Sequence, residues 1–485
     1  MFYTCFTTFK KSTAIILLTA SFLLISCAGR SALRQEKINK TVTSGDFLSA
    51  VSMIKDNDNL YGRNEQFLYY FDIGVLYHYA GLFDSSTTYL MKAADVHDQL
   101  FARSITNEAA AIMTNDNMRP YRSKRYELVM LHLFTALNFK AQGRIDEALV
   151  ESRRMQLHFD EWQRTDSRGR RYTSDGLFHL ITSFAYQQVG ESSNSLISLY
   201  KAVQAYQRGP VKLPPEVKGY AYNRFVRNDR ADDTARLNIS APGQNTWPER
   251  RGSEIVLISY AGRGPVLKET AWSGTYIKDG LLVINHKGPD GKNETISMHA
   301  PPLPASEYEK ANEGKPTRSG TTFHVKFALP TVKTFPSRTN NFSVLLEESG
   351  KRFNSVMVND LDATTESYLQ ENLNTIVART AVRVVLRTIA AERAKARVRT
   401  ENPLANLMIN LGTDVLSSQM ERADVRGASV TPKTVHMTRI PVEPGVHNLV
   451  IDAHDRNGNV IEKKRFEDIA VRRGQKKYLF HHSFK

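Results

Sequence analysis

Tyr70-Phe71-Asp72-Ile73-Gly74-Val75-Leu76-Tyr77, followed by Gly81, Tyr89-Leu90 and Ala93, sets the architecture of the N-terminal half. Counted from Phe67, large residues stand at positions 4, 7 and 11, a small one at 8 and a glycine at 15. Residues three and four apart share one face of a helix, so the large side chains form a stripe. The small one leaves room for a second helix to approach, and the glycine permits a tight reversal between the two. The spacing predicts a helical hairpin. Moving outward, Gly45-Asp46-Phe47 with Ala50 reads as the turn and second helix of an earlier unit. Leu131–Phe139 with Gly143, Ala148 and Leu149 gives another pair, and Phe178–Tyr186 with Gly190, Leu196, Leu199 and Ala202 a fourth. The turn glycines lie 36, 62 and 47 residues apart, so no strict period is kept. Insertions fill the gaps, around Thr114–Tyr126 and at the basic Arg164–Arg171. A short array of this kind stacks amphipathic hairpins and leaves one concave surface free.

These hairpins fit the tetratricopeptide pattern. The block Asn117-Met118-Arg119-Pro120-Tyr121, Tyr126-Glu127, Val129-Met130, Ala136-Leu137-Asn138, Gly143, Asp146, Ala148-Leu149-Val150-Glu151 and Arg153-Arg154 is similar to a group of bacterial lipoproteins with a tetratricopeptide-like N-terminal half. The resemblance covers most of the chain after its leader and implies fold and location. It carries over no catalytic residue.

At the N-terminus, Lys10 and Lys11 precede an apolar run from Ala14 to Ile25. A charged start, a short apolar middle and a small residue before the cut are the parts of a secretory signal. The run is shorter than the roughly 20 residues that span a bilayer. Leu24-Ile25-Ser26-Cys27 resembles the lipobox of bacterial lipoproteins, which implies removal of residues 1–26 and acylation of Cys27. Ala28, in place of the Asp that retains such proteins at the inner membrane, implies the outer membrane, facing the periplasm. A plain signal with a chance cysteine is the alternative.

With 485 residues, 41% apolar and 24% charged, the chain has material for two or three folded domains. Cys5 leaves with the leader, so an acylated Cys27 allows no intramolecular disulfide. Loss of Lys10 and Lys11 takes the formal charge from +15 to about +13, which suits an anionic lipid or cell-wall polymer beside a bilayer. An exported chain meets little nucleic acid, and none is expected as a partner.

Gly209-Pro210 and Pro214-Pro215 open a polar passage that reads as a linker over 209–252, with room for one short helix near Pro215–Asp229. From Glu254 the pattern shifts to strands: Ile255–Ile258, Leu281–Ile284, Glu294–Met298 after a Pro289-Asp290-Gly291 turn, Phe323–Leu329 and Phe342–Leu346. Ala363–Arg399 reads as a long amphipathic helix and Leu404–Met420 as a second. Val435–Ile440, His447–Ala453, Val460–Arg465 and Lys477–Phe480 close as strands, with Asn457-Gly458 as a hairpin turn. The expected fold is therefore α+β and multidomain: a leader (1–26), a helical array (27–208), the linker, and an α+β domain of strands enclosing two helices (253–485).

Motifs of catalysis are sparse. Gly262-Arg263-Gly264-Pro265 lacks the Lys-Ser/Thr pair of a phosphate loop and reads as a β-turn. Asp455-x-Asn457-x-Asn459 opens like a calcium loop, but Val460 stands where glycine is needed and Phe466 where a bidentate Glu is needed. Histidines show no ligand spacing, His481-His482 sit in a basic tail, and only His454 with Asp452 would share a strand face. No metal or cofactor is expected. Tyr70 and Tyr77 belong either to the core or to a peptide groove. Glu151, Arg153 and Arg154 form either a solvated helix face or a partner contact in the concave surface. Taken together, the sequence points to a non-enzymatic, lipid-anchored scaffold that binds an envelope protein through its helices. The alternative is an enzyme or carrier acting on cell-wall or lipid material, with its site between the two halves.

Overall fold

A computed structural model describes residues 26–57, 59–104, 117, 119–166, 172–243, 247, 252–277, 281–287, 293–299, 322–398 and 422–484. In the N-terminal half, α1 (Ser26–Thr43) pairs with α2 (Phe47–Lys55), and α3 (Gln66–Tyr79) with α4 (Phe83–Ser104). Next, α5 (Arg125–Ala141) pairs with α6 (Ile145–Thr165), and α7 (Gly176–Gln188) with α8 (Ser192–Arg208). Each reversal turns on the expected glycine: Gly45, Gly81, Gly143 and Gly190 have φ of 80°, 76°, 77° and 81°. That left-handed region is open to glycine without steric cost. A Cβ on Gly74 would lie 2.7 Å from Leu90 Cγ, so the small residue is what lets α4 close on α3.

The passage over 209–252, expected as a linker with one short helix near Pro215–Asp229, has that helix and is packed into the core where it is described. It forms α9 (Pro215–Arg227) and α10 (Ala231–Arg236), and Val217, Tyr220, Ala221, Phe225 and Trp247 are buried. Its polar composition hid an apolar stripe at three- and four-residue spacing, with proline at the helix start where its missing N–H costs nothing.

Three sheets follow. The first has strand order β12-β1-β9-β8, built from β1 (Glu254–Arg263), β8 (Val356–Asp360), β9 (Pro432–Pro441) and β12 (Lys476–Ser483). The pair β1–β12 is parallel and the others antiparallel. The second has order β11-β10-β6-β7, from β6 (Asn341–Leu346), β7 (Lys351–Asn354), β10 (Gly445–His454) and β11 (Val460–Val471). Ile255, Leu257 and Ala261 of β1 pack with Phe342, Val344, Leu449 and Ile451 of the second sheet. Val256, Ile258 and Tyr260 face the helices instead. Burial of β1 on both sides accounts for its unbroken apolar run.

The third sheet, β4-β3-β2-β5, consists of β2 (Val266–Ile277), β3 (Leu281–Lys287), β4 (Asn293–His299) and β5 (Thr322–Lys333). The long α11 (Leu361–Val398) lies across it through Val377, Ala381 and Val385 against Trp272, Tyr276, Leu282 and Phe327. Of the two helices expected between the strands, α11 is present and covers one face of this sheet. The second helix (404–420), the turn at 289–291, the leader up to Ile25 and all of 167–171 lie outside the described residues. Among the described residues no helix is long and apolar enough to cross a membrane.

Candidate functional site

Among the described residues, the inner face of the array, expected to be free, is covered. Helices α3, α5 and α7 are buried around nearly their whole circumference, with α4, α6 and α8 on one side and the first sheet on the other. A helix apolar on all sides belongs in an interior. Polar residues on these inner helices act as joints. The buried His78 ring contacts Asn138 Oδ1 at 2.6 Å through Nδ1 and the Tyr260 hydroxyl at 2.8 Å through Nε2, linking α3, α5 and β1. Burial pulls His78 down to about 4, so it is neutral at pH 7.

The chain itself lies extended against these helices. Over residues 423–431, the Ser429 N–H donates to Asp72 Oδ1 at 3.0 Å and the Ala428 N–H to Glu127 Oε1 at 3.0 Å. On the acceptor side, the Arg426 carbonyl takes Lys124 Nζ at 2.6 Å, the Gly427 carbonyl Arg34 at 3.4 Å and the Val430 carbonyl the Tyr79 hydroxyl at 2.9 Å. Carboxylates meet the strap's donors, while cations and a phenol meet its acceptors. Each of these contacts is to the strap's backbone, and the Arg426 side chain adds one more by donating to the Arg119 carbonyl at 2.9 Å.

Beside the strap opens a cleft of about 320 Å³ between the two halves of the chain. Its walls come from residues 119–126, β2 and β5 (Leu267, Ala328, Pro330), α11 (Tyr368, Leu369, Ile376) and the start of the strap. Among the described residues, Arg119, Arg122, Lys124, Arg379, Arg383, Arg422 and Arg426 line it, with one carboxylate, that of Asp424. Asp424 Oδ2 already accepts from Arg426 Nη2 at 2.7 Å. Burial alone would raise the Asp424 carboxyl, but the Arg426 hydrogen bonds and charge hold it below the usual range. The Arg426 guanidinium also lies 5.2 Å over the Tyr121 ring, and Tyr126 meets Tyr368 edge-on at 5.5 Å. Cations around an aromatic and aliphatic floor can hold an anion that carries an apolar part.

A third constellation sits on the outer helices. His97 and Asp98 of α4 and His158 of α6 bring one ligand atom each within 4.8 Å of one another. His132 of α5 contacts Glu151 Oε2 at 2.8 Å through Nδ1, and its ring lies 6.0 Å from His158. Spacing along the sequence does not show this group: α4 and α6 both pack against α5, and this brings together residues far apart in sequence.

Of the residues singled out from the sequence, Tyr70 and Tyr77 are half-buried in an aromatic ladder with Tyr89, at 6.3 and 5.6 Å. Lys55 caps it with Nζ 2.8 Å from the Tyr77 hydroxyl, and Lys92 lies 5.8 Å over Tyr70. Glu151 is buried, whereas Arg153 and Arg154 are exposed on the outer helix α6, not in a concave surface. Arg154 Nη1 donates to Glu151 Oε1 at 3.1 Å. Cys27 falls in the first turn of α1. His454 and Asp452 form no pair: His454 contacts Ser343 Oγ at 2.8 Å, and Asp452 accepts from Arg352 at 2.7 Å. His481 and His482 lie within β12 and are no tail; His481 faces Phe342 and His482 faces Phe47.

No family model matches the chain, and no curated protein matches it. Solved structures that resemble it are MamA MSR-1 C2, at 10% identity and a TM-score of 0.24, and MamA AMB-1 C2221, at 11% and 0.23. Each aligns with 43% of this chain and with 97% or 95% of its own length. A likeness this slight carries no argument about function.

Proposed function

We propose that this chain is a non-enzymatic, lipid-anchored scaffold of the cell envelope, built on tetratricopeptide-like hairpins, that grips an acidic segment of a partner protein in the cleft between its halves. The observation that carries the reading is the charge of that cleft: among the described residues seven cationic side chains line it with one carboxylate, Asp424, which is held by Arg426, while Lys124 lies 3.9 Å from Glu127 and the charge of Arg422 is felt at Glu269. The adjoining helices already hold an extended stretch of chain by its backbone over 423–431. An incoming acidic segment would lie beside it and meet Arg119, Arg122 and Arg379. The tether rests on Leu24-Ile25-Ser26-Cys27. Acyl chains on Cys27, each buried CH₂ contributing roughly 0.8 kcal/mol, would confine the cleft to one membrane, and confinement raises the effective concentration of partners there. Outer-membrane placement, facing the periplasm, follows from Ala28 as part of the same proposal.

A second reading is a carrier for an amphiphilic anion from the cell wall or a lipid, favoured by the apolar floor of Leu267, Leu369 and Ile376. One titration separates the two. A labelled peptide rich in Asp and Glu should bind at low salt and weaken as salt rises. The Arg122→Glu/Arg379→Glu variant should lose at least about tenfold in affinity, some 1.4 kcal/mol. Equal binding by the variant refutes the scaffold site, and retention of only anionic lipid from vesicles favours the carrier. For the tether, Cys27→Ser should abolish incorporation of labelled palmitate and move the protein to the soluble fraction.

A further inference from the structure

The outer face of the helical array presents a donor set that neither the cleft nor the strap uses. His97 and Asp98 come from α4 and His158 from α6, and their ligand atoms all lie within 4.8 Å of one another. The rings of His97 and His158 meet edge-on at 5.4 Å. We propose that His97, Asp98 and His158 bind a divalent transition-metal ion of the zinc class, leaving a fourth position open to water or to a donor from another molecule.

Two imidazoles and a carboxylate are the ligand types that zinc and its neighbours take, and imidazole selects them over magnesium or calcium. The edges of a zinc tetrahedron are about 3.4 Å, given metal–nitrogen bonds near 2.0–2.1 Å. Small rotations of three half-exposed or exposed side chains close the remaining gap. His97 is oriented for the task, because its Nδ1 meets Ser123 Oγ at 2.7 Å and Nε2 is left for the ion. A ligating histidine that uses its other nitrogen on a fixed partner is the usual supporting arrangement. Both histidines are neutral at pH 7: burial first, and then the charge of neighbouring histidines, bring each down to about 4. Burial raises the Asp98 carboxyl, opposed by His132 and Arg154. A cation between the three would favour the ionised carboxylate and leave the imidazole lone pairs for coordination.

The surroundings fit a supporting shell. The His132–Glu151 pair stands behind His158, and Arg154 closes the Glu151 carboxylate from outside. Arg122, on the cleft rim, is close enough for its charge to be felt at His97. The ion would tie α4 to α6, the outer helices of successive hairpins, across the back of α5.

The test uses detergent-solubilised full-length protein, free of any histidine tag, stripped with chelator and titrated with zinc chloride and with cobalt(II). One equivalent of zinc should bind at micromolar or tighter concentration, and cobalt should give the visible bands of a tetrahedral nitrogen–oxygen site. His97→Ala/His158→Ala should lose that equivalent. Asp98→Asn alters an exposed side chain and guards against misfolding as the explanation; it should weaken binding at least about 100-fold. Ser123→Ala keeps all three ligands but removes the hydroxyl that orients His97, and it should weaken binding about 10- to 100-fold with an unchanged circular dichroism spectrum. His447→Ala, on a distant hairpin, should change nothing. Absence of uptake by the wild type, or an undiminished equivalent in His97→Ala/His158→Ala, overturns the proposal.

Discussion

Replacing Glu254 with Gln removes the pin between the first sheet and the helical array. Glu254 Oε2 accepts from Arg439 Nη2 at 2.8 Å and Nε at 3.1 Å, and Oε1 accepts from Lys476. All three residues are buried. The Arg439 guanidinium reaches out of the sheet to lie 5.0, 4.8 and 5.6 Å from the rings of Phe184, Tyr220 and Trp247. Glu254→Gln keeps the shape but leaves two buried cations without a counter-charge. Breaking a buried ion pair from one side costs about 3–5 kcal/mol, a large share of the roughly 5–15 kcal/mol by which domains are stable. Burial pushes the Glu254 carboxyl up, but Arg439 and Lys476 more than reverse this and hold it below its usual range. A depressed folded value means the stabilisation is present above the unfolded carboxylate pKa and is lost as pH falls through the folded one. Urea unfolding of the Cys27→Ser protein should therefore show a midpoint that drops at acid pH, and Glu254→Gln should flatten that limb while lowering the midpoint at pH 7. Burial already lowers the Lys476 ammonium, so shedding its proton should shrink the loss as pH rises further. Glu254→Gln/Arg439→Met/Lys476→Met should recover most of the stability, because apolar groups of similar volume replace the triad. A loss below about 1 kcal/mol in the single variant would refute the pin.

Asp72 behaves with the opposite sign: burial lifts its carboxyl to about 6, so stability should fall as pH rises through the window from about 4 to 6, by about 3 kcal/mol in all. Asp72→Asn, whose amide can accept from Ser429 N–H and donate to the Tyr61 hydroxyl, should erase that slope in pH-dependent unfolding, whereas Asp72→Ala should cost about 1–3 kcal/mol by orphaning both partners. Gly74→Ala places a Cβ 2.7 Å from Leu90 Cγ and 3.1 Å from the Leu90 amide nitrogen, an overpacking cost of about 1–3 kcal/mol that exceeds the gain of up to about 1 kcal/mol in helix propensity. Its thermal midpoint should fall, and Leu90→Ala should be non-additive with it in a double-mutant cycle.

The hairpins were legible because their signals are local. Gly45, Gly81, Gly143 and Gly190 mark each reversal, and the 3.6-residue stripe marks each helix. What covers the inner helices was not read, although a sign of it is present. Of the α5 residues, Tyr126 through Lys140 are all buried, including Glu127, His132, Thr135 and Asn138, so this helix has no solvent face to leave open. Strand β2 escaped because its buried positions run Trp272, Gly274, Tyr276, and the middle one has no side chain to mark the period. A Cβ on Gly274 would come 2.7 Å from the Val283 carbonyl oxygen of β3, which is why glycine stands there. The cleft and the histidine cluster were illegible for a different reason. Residues 119–126, 365–383 and 422–426 meet only through tertiary packing, as do His97 and His158.

The filled inner face changes what the helical repeat is for. An array that leaves its concave side open recognises partners by that surface, with polar side chains aimed outward. Here the corresponding polar side chains are consumed within the chain: Asp72 and Glu127 by the strap, His78 by Asn138 and Tyr260, Lys140 by Gln188 at 2.7 Å. The helices therefore form a wall on which the sheet and the strap are seated, and the proposed recognition site lies at the edge where wall, third sheet and α11 converge. At that edge Lys124 and Arg426 belong both to the strap's anchorage and to the cleft's lining. An anion entering the cleft would compete with Asp424 for Arg426, so occupancy of the cleft and seating of the strap share the same charges and are coupled through them.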